Sequence, residues 1–342
     1  MSAAVPIPIS TTPTQEMRFD FGCDDLSVFL PDDLRGVGLD QTTIPAIAKN
    51  LALLEKIELS LQMVPTKHVL VHGDAREMVG LGSGSVHLVV TSPPCWTLKR
   101  YENSLAQMGH IEDYDEFLHE LSLVWQRCYD SLVPGGRLVC VVGDVCLSRR
   151  QNEGRHTVVP LHASIQEQCR RIGFDNLAPI IWHKISNAAY EACGGGGFLG
   201  KPYEPNSVIK NDIEFILMLR KPGGYRKPDA ATKLLSVIGA ANYQQWFQQI
   251  WTGLTGESTR HHPAPYPVQL AERLIRMFSF VDDVVLDPFL GTGTTTLAAA
   301  KSGRNSMGYE VQETYLRSAV LRVRQETQTL FKRPEVAEVW DR

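Results

Sequence analysis

The sequence lacks the features that define several large classes of protein. Its 342 residues contain no apolar run long enough to cross a bilayer, and a content of 43% hydrophobic and 21% charged residues is typical of a globular chain. None of the 7 cysteines forms a C-x-x-C pair or a Cys/His cluster with zinc spacing, so we expect reduced thiols and no metal site. Residues 1–10 lack a basic segment followed by an apolar one, which argues against a signal peptide and favours a cytoplasmic protein.

An excess of positive charge is also missing. The chain has 34 Lys and Arg against 38 Asp and Glu, and this net charge of −4 argues at first against binding to nucleic acid. The distribution is uneven, however, because residues 146–234 hold 13 basic and 8 acidic residues while residues 1–145 hold 10 and 19. Such basic clusters are often only a solvated face, but they are also what neutralises phosphates. The candidate phosphate contacts in this segment are Arg149, Arg150, Arg155, Arg220, Lys221, Arg226 and Lys227.

Strand and helix patterns alternate through most of the chain. Apolar residues at helical spacing predict an N-terminal helix over 44–63. Beyond it we predict strands at 68–72, 86–91, 137–142, 178–182, 214–219 and 283–286, and helices at 114–132, 161–172, 267–278 and 294–301. This alternation predicts a doubly wound α/β fold with a mostly parallel sheet. Two segments, 185–212 and 221–262, look irregular and are interpreted as functional loops.

A glycine-rich turn follows the strand predicted at 283–286. Residues 287–295 read D-P-F-L-G-T-G-T-T, and glycines at a strand-to-helix turn let the backbone approach a ligand closely. The third glycine of the dinucleotide fingerprint and the lysine of a P-loop are both missing, which disfavours NAD and a P-loop. An isolated G-x-G is often only a turn. Glu310, however, ends the next predicted strand about 20 residues later, where nucleoside-binding α/β folds hold a ribose, and the pair favours a nucleoside site.

A second rigid turn, T-S-P-P-C-W at residues 91–96, follows the strand predicted at 86–91. Its two prolines remove two backbone donors and leave carbonyl oxygens without backbone partners. The Oγ of Ser92 and the carbonyl of Pro93 then form a rigid pair of acceptors that suits an exocyclic amino group, and Trp96 offers a face for stacking. Taken alone, the segment could equally be a proline turn beside a core tryptophan.

Together the two turns resemble the catalytic and cofactor motifs of S-adenosylmethionine-dependent amino-methyltransferases. The catalytic motif precedes the cofactor motif by about 200 residues, which is the circularly permuted order of the beta class of DNA amino-methyltransferases. The resemblance covers roughly residues 69–323. Further segments match in the same order, namely Gly73-Asp74 and residues 133–137, 180–184 and 262–267.

The resemblance implies a Rossmann-like methyltransferase fold and methyl transfer from S-adenosyl-L-methionine to the amino group of a base flipped out of duplex DNA. Within the family, S-P-P usually accompanies cytosine-N4 methylation, whereas D-P-P or N-P-P accompanies adenine-N6 methylation more often. The position after the second proline is normally aromatic; here it is Cys95, and Trp96 is the adjacent ring. The catalytic residues implied are Ser92, Pro93, Pro94 and Trp96.

The resemblance also implies a set of cofactor contacts. Asp74 is expected at the adenine amino group and Glu310 at the ribose hydroxyls. The whole set consists of Asp74, Thr91, His262, Pro263, Ala264, Asp287, Pro288, Phe289, Gly291, Thr292, Gly293, Thr294 and Glu310. Lys184 follows a predicted strand end and is expected to line the pocket for the DNA base, together with His183 and Asn187.

The expected organisation has four parts. Residues 1–64 form a helical N-terminal extension, residues 65–184 and 263–325 the catalytic domain, residues 185–262 the loops and target-recognition region, and residues 326–342 a tail. The expected partner is double-stranded DNA in a bacterial or phage cytosol, with no membrane partner. The resemblance leaves open a homodimer and a restriction endonuclease encoded nearby.

Three other functions compete with cytosine-N4 methylation. Adenine-N6 methylation of DNA is the nearest alternative. A methyltransferase of protein glutamine or RNA would normally have the cofactor motif first, so the permuted order counts against it. A non-catalytic DNA-binding relative is disfavoured by the intact cofactor turn.

Overall fold

A computed structural model describes residues 21–23, 25–96, 107–150, 152–184, 211–256, 266–328 and 334–340. Within these ranges the α-helices are α1 (Thr43–Ala48), α2 (Leu51–Leu61), α3 (Tyr114–Ser131), α4 (Leu161–Ile172), α5 (Ala230–Leu235), α6 (Ala240–Trp246), α7 (Val268–Phe278), α8 (Thr294–Lys301) and α9 (Glu313–Thr327). The strands are β1 (Lys67–His72), β2 (Val86–Thr91), β3 (Leu132–Val142), β4 (Val145–Leu147), β5 (Thr157–Val159), β6 (Asp175–His183), β7 (Ile213–Arg220), β8 (Ile250–Trp251), β9 (Val284–Asp287), β10 (Asn305–Glu310) and β11 (Glu335–Trp340).

One large mixed sheet organises the fold. Its strand order is β11-β1-β10-β9-β2-β3-β7-β6-β8, and β4 and β5 form a separate antiparallel hairpin. Every pairing from β11 to β3 is parallel. β7 is antiparallel to both of its neighbours, and β8 is parallel to β6. This mostly parallel α/β architecture confirms the predicted fold class.

Helices cover both faces of the central strands. Val89 and Leu138 face the core that is formed with α3 and α4, while Leu88 and Val139 face the core formed with α7 and α8. Because both faces are buried, alternate positions need not be polar, which explains the continuous apolar runs of β2 and β3.

Three local predictions were wrong. The helix predicted over 44–63 is divided into α1 and α2, because Asn50 is extended and its side chain accepts the N–H of Leu53 at 3.2 Å as a helix cap. The segment 221–262 holds α5, α6 and β8 rather than only irregular chain. The strand predicted at 137–142 begins at Leu132 and runs through the glycine pair that was expected to precede it.

The sheet has two edges at which its strands begin or end. The carboxyl edge is where β1, β2, β3, β9 and β10 end, and the amino edge is where they begin. Because β7 is antiparallel to β3, it begins at the carboxyl edge and reaches the amino edge at Arg220. Open α/β sheets bind ligands at the carboxyl edge, so that edge is the first place to search for a site.

Two negative findings apply to the described ranges only. None of their helices is long and apolar enough to cross a membrane. No group of three or more His, Cys, Asp or Glu side chains in the same ranges is arranged to hold a metal ion.

Candidate active site

A pocket of about 590 Å³, partly open to solvent, lies at the carboxyl edge. Its walls come from the chain that follows β1, β2, β9 and β10, together with residues ahead of α3 and in α9. The lining residues are Gly73, Asp74, Ala75, Ser92, Pro94, Gln107, Met108, Pro288, Phe289, Gly291, Tyr309, Glu310, Val311 and Tyr315. The structure thus brings residues of the predicted cofactor set together with Ser92 and Pro94 of the predicted catalytic set.

Glu310 is the acidic residue in the wall of the pocket contributed by β10. Its Oε2 accepts the N–H of Gly291 at 2.9 Å, and its Oε1 accepts the N–H of Gln312 at 2.8 Å. Burial raises the pKa of this carboxyl to about 7, although both backbone donors favour the charged form. A carboxylate has about four acceptor positions, so each oxygen keeps capacity for a ligand hydroxyl.

Asp287 supports the glycine-rich turn from below instead of lining the pocket. It is only 1% exposed, and its Oδ1 accepts the hydroxyl of Thr91 at 2.7 Å and the N–H of Phe289 at 3.0 Å. Its Oδ2 accepts the hydroxyl of Thr295 at 2.5 Å. Burial raises the pKa of Asp287, and these donors oppose that shift. Asp287 and Thr91 therefore act on the pocket by fixing the backbone that carries Phe289.

The rest of the glycine-rich turn leads into α8. Gly293 has φ of 78°, and a Cβ at this position would lie 3.0 Å from the Cβ of Ala319 in α9, so glycine meets both the conformational and the packing requirement. Thr292 and Thr294 contact the guanidinium of Arg322 in α9, at 3.4 Å through the Thr292 carbonyl and at 3.2 Å through the Thr294 hydroxyl. Of the predicted residues in this turn, Pro288, Phe289 and Gly291 line the pocket, and the two threonines and Gly293 lie behind it.

Asp74 lines the pocket at the end of β1. Its carboxylate accepts the backbone N–H of Arg76 at 2.8 Å and the Nε–H of the same residue at 3.0 Å. The guanidinium of Arg76 also forms an ion pair with Glu120 in α3. Asp74 is thus held between the loop after β1 and the helical layer, which fixes the direction of its remaining acceptor positions.

The S-P-P turn follows β2 at the same edge. Ser92 and Pro94 line the pocket, while Pro93 between them is buried. Trp96 has φ of 44°, donates its indole N–H to the carbonyl of Ile111 at 3.0 Å and packs edge-on against Tyr114 at 5.0 Å. These contacts give Trp96 an anchoring position beside α3, and it does not line the pocket.

The basic residues are divided between the two edges. Arg149, Arg150 and Arg155 are exposed in the turn of the β4–β5 hairpin, which leaves the sheet at the carboxyl end of β3. Lys184 lies beyond the carboxyl end of β6, where its Nζ donates to Glu214 at 2.6 Å. These four residues are on the side of the sheet that carries the pocket.

The remaining basic candidates are at the amino edge, so the structure does not bring them to the pocket. Arg220 pairs with Asp175 at 2.7 Å, and Arg226 forms a bidentate pair with Asp283. The Nζ of Lys221 donates to the carbonyls of Tyr129 and Leu132, both at 2.7 Å. Lys227 is exposed in the same loop. These residues lie at the amino edge because β7 is antiparallel to β3, and the sequence analysis assigned no direction to this strand.

The predicted site residues and the residues that line the pocket are not the same set. His262, Pro263, Ala264 and Asn187 lie outside the described residues. Conversely, sequence reasoning missed the lining residues Ala75, Gln107, Met108, Tyr309, Val311 and Tyr315. Val311 directly follows Glu310, and Tyr315 lies five residues after Glu310 in the first turn of α9, so closeness to Glu310 along the chain was the signal available for both.

The fold and the pocket define a Rossmann-like α/β protein with a nucleoside-type site at the carboxyl edge of its sheet. Comparison with known proteins defines the class further. The profile of the N6/N4 DNA methylase family matches residues 86–321, which is more than half of the chain. The chain therefore belongs to the N6/N4 DNA methylase family.

Individual relatives agree with this membership. The type II methyltransferase M.MjaI of Methanocaldococcus jannaschii is 36% identical over 278 residues, which cover 73% of this chain and 89% of the relative. The crystal structure of TTHA0409 from Thermus thermophilus, complexed with S-adenosyl-L-methionine, is 50% identical with a TM-score of 0.65 and covers 79% of this chain and 98% of that one. The PvuII DNA methyltransferase (cytosine-N4-specific) shares the fold at 18% identity and a TM-score of 0.54, covering 81% of this chain and 96% of that one.

Proposed function

We propose that this DNA methyltransferase transfers a methyl group from S-adenosyl-L-methionine to the N4 amino group of a cytosine in duplex DNA. The observation that carries the proposal is the juxtaposition of two turns in one pocket. Ser92 of the S-P-P turn lines the same cavity as Glu310 and Phe289, which belong to the nucleoside side of the site.

The residues present fit S-adenosyl-L-methionine, which is also the ligand of the 50% identical Thermus protein. Glu310 offers acceptor capacity on both oxygens for a ribose diol, and Asp74 offers a carboxylate for the adenine amino group. Phe289 contributes an aromatic ring, held edge-on by Trp125 at 6.3 Å. When bound, S-adenosyl-L-methionine supplies an electrophilic methyl group on its sulfonium.

The acceptor side of the pocket has to make a weak nucleophile reactive. The lone pair of an exocyclic amino nitrogen is delocalised into the ring, so the nitrogen attacks only when that delocalisation is reduced. We assign the two N–H acceptors to the Oγ of Ser92 and the carbonyl of Pro93, which favour a tetrahedral nitrogen with its lone pair directed at the methyl carbon. Positioning of the reactants and electrostatic stabilisation then account for most of the reduction in the activation barrier, and no strong base is required.

DNA must reach the carboxyl edge for this reaction, and its target base must leave the duplex at a cost of a few kcal/mol. The exposed arginines of the β4–β5 hairpin, Arg149, Arg150 and Arg155, are the proposed phosphate contacts, and Lys184 is proposed to lie beside the base. Residues 185–262 are proposed to contain the target-recognition region. The assignments of the three arginines and of Lys184 rest on the side of the sheet that each residue occupies and on its charge.

The choice of cytosine rests on the serine of the S-P-P turn, and the alternative is adenine N6, which the same family includes. The test is methylation of unmethylated plasmid DNA in vitro, followed by mass spectrometry of the nucleosides. We expect N4-methylcytosine, formed roughly 10²–10³-fold more slowly by the Ser92→Ala variant. Detection of N6-methyladenine alone would contradict the base assignment while leaving DNA methylation intact.

A restriction partner is a further part of the proposal, because M.MjaI is a type II methyltransferase. We infer that the chain acts in the cytoplasm and protects DNA from a cognate endonuclease encoded nearby. Base-modification sequencing of DNA methylated by the protein would give the recognition site, and digestion of that DNA by the neighbouring gene product would test the pairing. Sedimentation would test the homodimer.

A further inference from the structure

A second cavity, of about 960 Å³ including the part open to solvent, lies at the amino edge of the sheet. It is formed where β2, β3 and β9 begin, against the loop after β7 and the end of α7. Three arginines line it, Arg137, Arg226 and Arg276, together with the imidazole of His87, and no carboxylate side chain is among the lining residues. The cavity thus presents positive charge on a side of the molecule remote from the methyl-transfer pocket.

Arg137 has the least compensated charge of the three. It is half-buried, and within the described part of the chain its guanidinium makes no hydrogen bond or ion pair. Its contact is with the face of Phe278, whose ring centroid lies 4.7 Å from the guanidinium carbon. Burial, and the nearby positive charge of Arg220, lower the pKa of Arg137. Stacking on a ring leaves the edge of a guanidinium, which carries its N–H donors, available to an anion.

The other two arginines that line the cavity, Arg226 and Arg276, already form ion pairs with carboxylates. Arg226 forms its bidentate pair with Asp283, and Arg276 pairs with Glu58 and Glu272. These carboxylates are therefore occupied and do not neutralise Arg137. A charge left without a partner in a partly buried position is costly, unless a ligand of opposite charge compensates it.

His87 adds a neutral donor to the same wall. Its Nδ1 accepts the backbone N–H of Val284 at 3.0 Å, so the neutral imidazole carries its proton on Nε2. Burial lowers the pKa of His87, which favours this neutral form. The cavity therefore combines a guanidinium and an imidazole N–H with aromatic rings from Tyr225, Phe278 and Phe280.

The backbone around Arg137 is held firmly. Gly135 has φ of 78°, and a Cβ at this position would lie 2.7 Å from the carbonyl oxygen of Gly224, so two glycine-containing segments pack directly on each other. The N–H of Gly135 donates to the carbonyl of Lys221 at 3.0 Å, and the N–H of Lys221 donates to the carbonyl of Gly136 at 2.9 Å. A fixed wall of this kind holds Arg137 in place before a ligand arrives.

We propose that the amino-edge cavity is a second ligand site, which takes the phosphate group of a small phosphate ester and holds it through Arg137. Its volume without the part open to solvent, about 350 Å³, lies near the lower end of the range of small-molecule sites and is enough for a small phosphate ester. His87 and Ser92 are five residues apart in and just after β2, which corresponds to about 17 Å along an extended strand. DNA that is engaged at the carboxyl edge would have to wrap around the sheet to reach Arg137, so a free phosphate ester is the source we favour.

Isothermal titration of the full chain with pyrophosphate and with ribose 5-phosphate tests the proposal, with S-adenosyl-L-methionine present at saturation. We expect saturable binding that Arg137→Gln weakens at least about tenfold, the usual scale for removal of a charged hydrogen bond. Arg137→Lys keeps the charge and should retain part of the affinity. Arg171→Gln, which removes an exposed charge that pairs with Glu167 on α4, is the control and should change nothing.

Three results would overturn the proposal. The first is no saturable binding of either probe to the native chain. The second is binding that Arg137→Gln leaves unchanged, provided that thermal unfolding and circular dichroism show a folded variant. The third is competition by a short DNA duplex together with failure of ribose 5-phosphate to bind, which would assign the cavity to the DNA backbone.

Discussion

The two edges of the sheet carry polar side chains of different kinds. At the carboxyl edge, Glu310, Asp74 and Ser92 line a pocket, and the carboxyl groups keep acceptor capacity. At the amino edge, Arg220 and Lys221 are held by Asp175 and by backbone carbonyls. Charge at the first edge is available to ligands, whereas most charge at the second holds elements of the fold together.

This difference follows from how parallel strands end. Backbone groups beyond the carboxyl ends of β2, β9 and β10 turn away from the sheet, which leaves a crevice between the turns. Side chains that fix those turns, such as Asp287, must be buried and fully hydrogen-bonded, while side chains that project from them remain accessible. A variant of an accessible side chain at the carboxyl edge should therefore change catalysis or binding, and a variant of a paired side chain at the amino edge, such as Lys221, should change stability.

The largest effect is expected for Ser92→Ala, which removes one of the two proposed acceptors of the amino group. We expect kcat to fall by roughly 10²–10³-fold, as for the loss of one preorganised electrostatic contact, while the affinity for S-adenosyl-L-methionine is retained. Single-turnover assays and calorimetry measure the two quantities. Ser122→Ala, on α3, is the matched control, since its Oγ donates to the carbonyl of His119 within the helix. A fully active Ser92→Ala variant would refute the assignment.

Lys221→Met, at the amino edge, should have the opposite effect and lower stability without changing DNA binding. The variant loses two hydrogen bonds to carbonyls at the carboxyl end of α3 and should lower the free energy of unfolding by roughly 1–3 kcal/mol. Urea unfolding measures the loss. DNA affinity should not change, because Lys221 is bound internally, and Lys227→Met in the exposed part of the same loop should affect neither property.

The division between the edges also explains what the sequence could predict. Turn chemistry is local, so the glycine-rich and proline-rich turns indicated Phe289, Gly291 and Ser92, and the end of the next predicted strand indicated Glu310, before any fold was known. Strand direction is a global property. Had β7 been parallel to β3, Arg220 and the loop after it would have been at the carboxyl edge, and the sequence of β7 contains nothing that distinguishes the two directions.

Other differences have equally physical causes. The side chain of Asn50 caps a new helix and interrupts the helix predicted over 44–63. Apolar periodicity alone does not show whether such a cap or continuation of the helix is more stable. Met108 and Tyr315 enter the pocket from outside the motifs, because any segment that packs above a crevice can contribute to its wall. The motifs therefore identified most of the lining residues at the ends of β1, β2, β9 and β10. The lining residues from other segments were identified only in the folded structure.

Glu310 gives a prediction of pH dependence at the carboxyl edge. Its folded pKa is about 7, above the ordinary value of 4.5, so the free protein is stabilised by the protonated form and loses that stability as the pH rises from about 4.5 to 7. A ribose diol donates to the ionised form, so affinity for S-adenosyl-L-methionine should rise roughly tenfold between pH 6 and pH 8. Glu310→Gln should show weaker and nearly pH-independent binding in calorimetry. A native protein with the same affinity at both pH values would argue against the ribose contact.

The smallest effect per residue is expected for replacement of the hairpin arginines, measured as a loss of DNA affinity. A matched triple variant at the other edge allows the two edges to be compared directly. Replacing Arg149, Arg150 and Arg155 by Gln should lower DNA affinity several-fold and reduce the slope of log K against log salt by about 0.9 for each phosphate that is no longer neutralised. The unfolding free energy should hardly change, because these side chains are exposed. The control replaces Arg170, Arg171 and Lys227 by Gln, which removes the same charge near the amino edge. If both triple variants lose affinity equally, the effect comes from net charge, and the carboxyl edge has no special role in holding DNA.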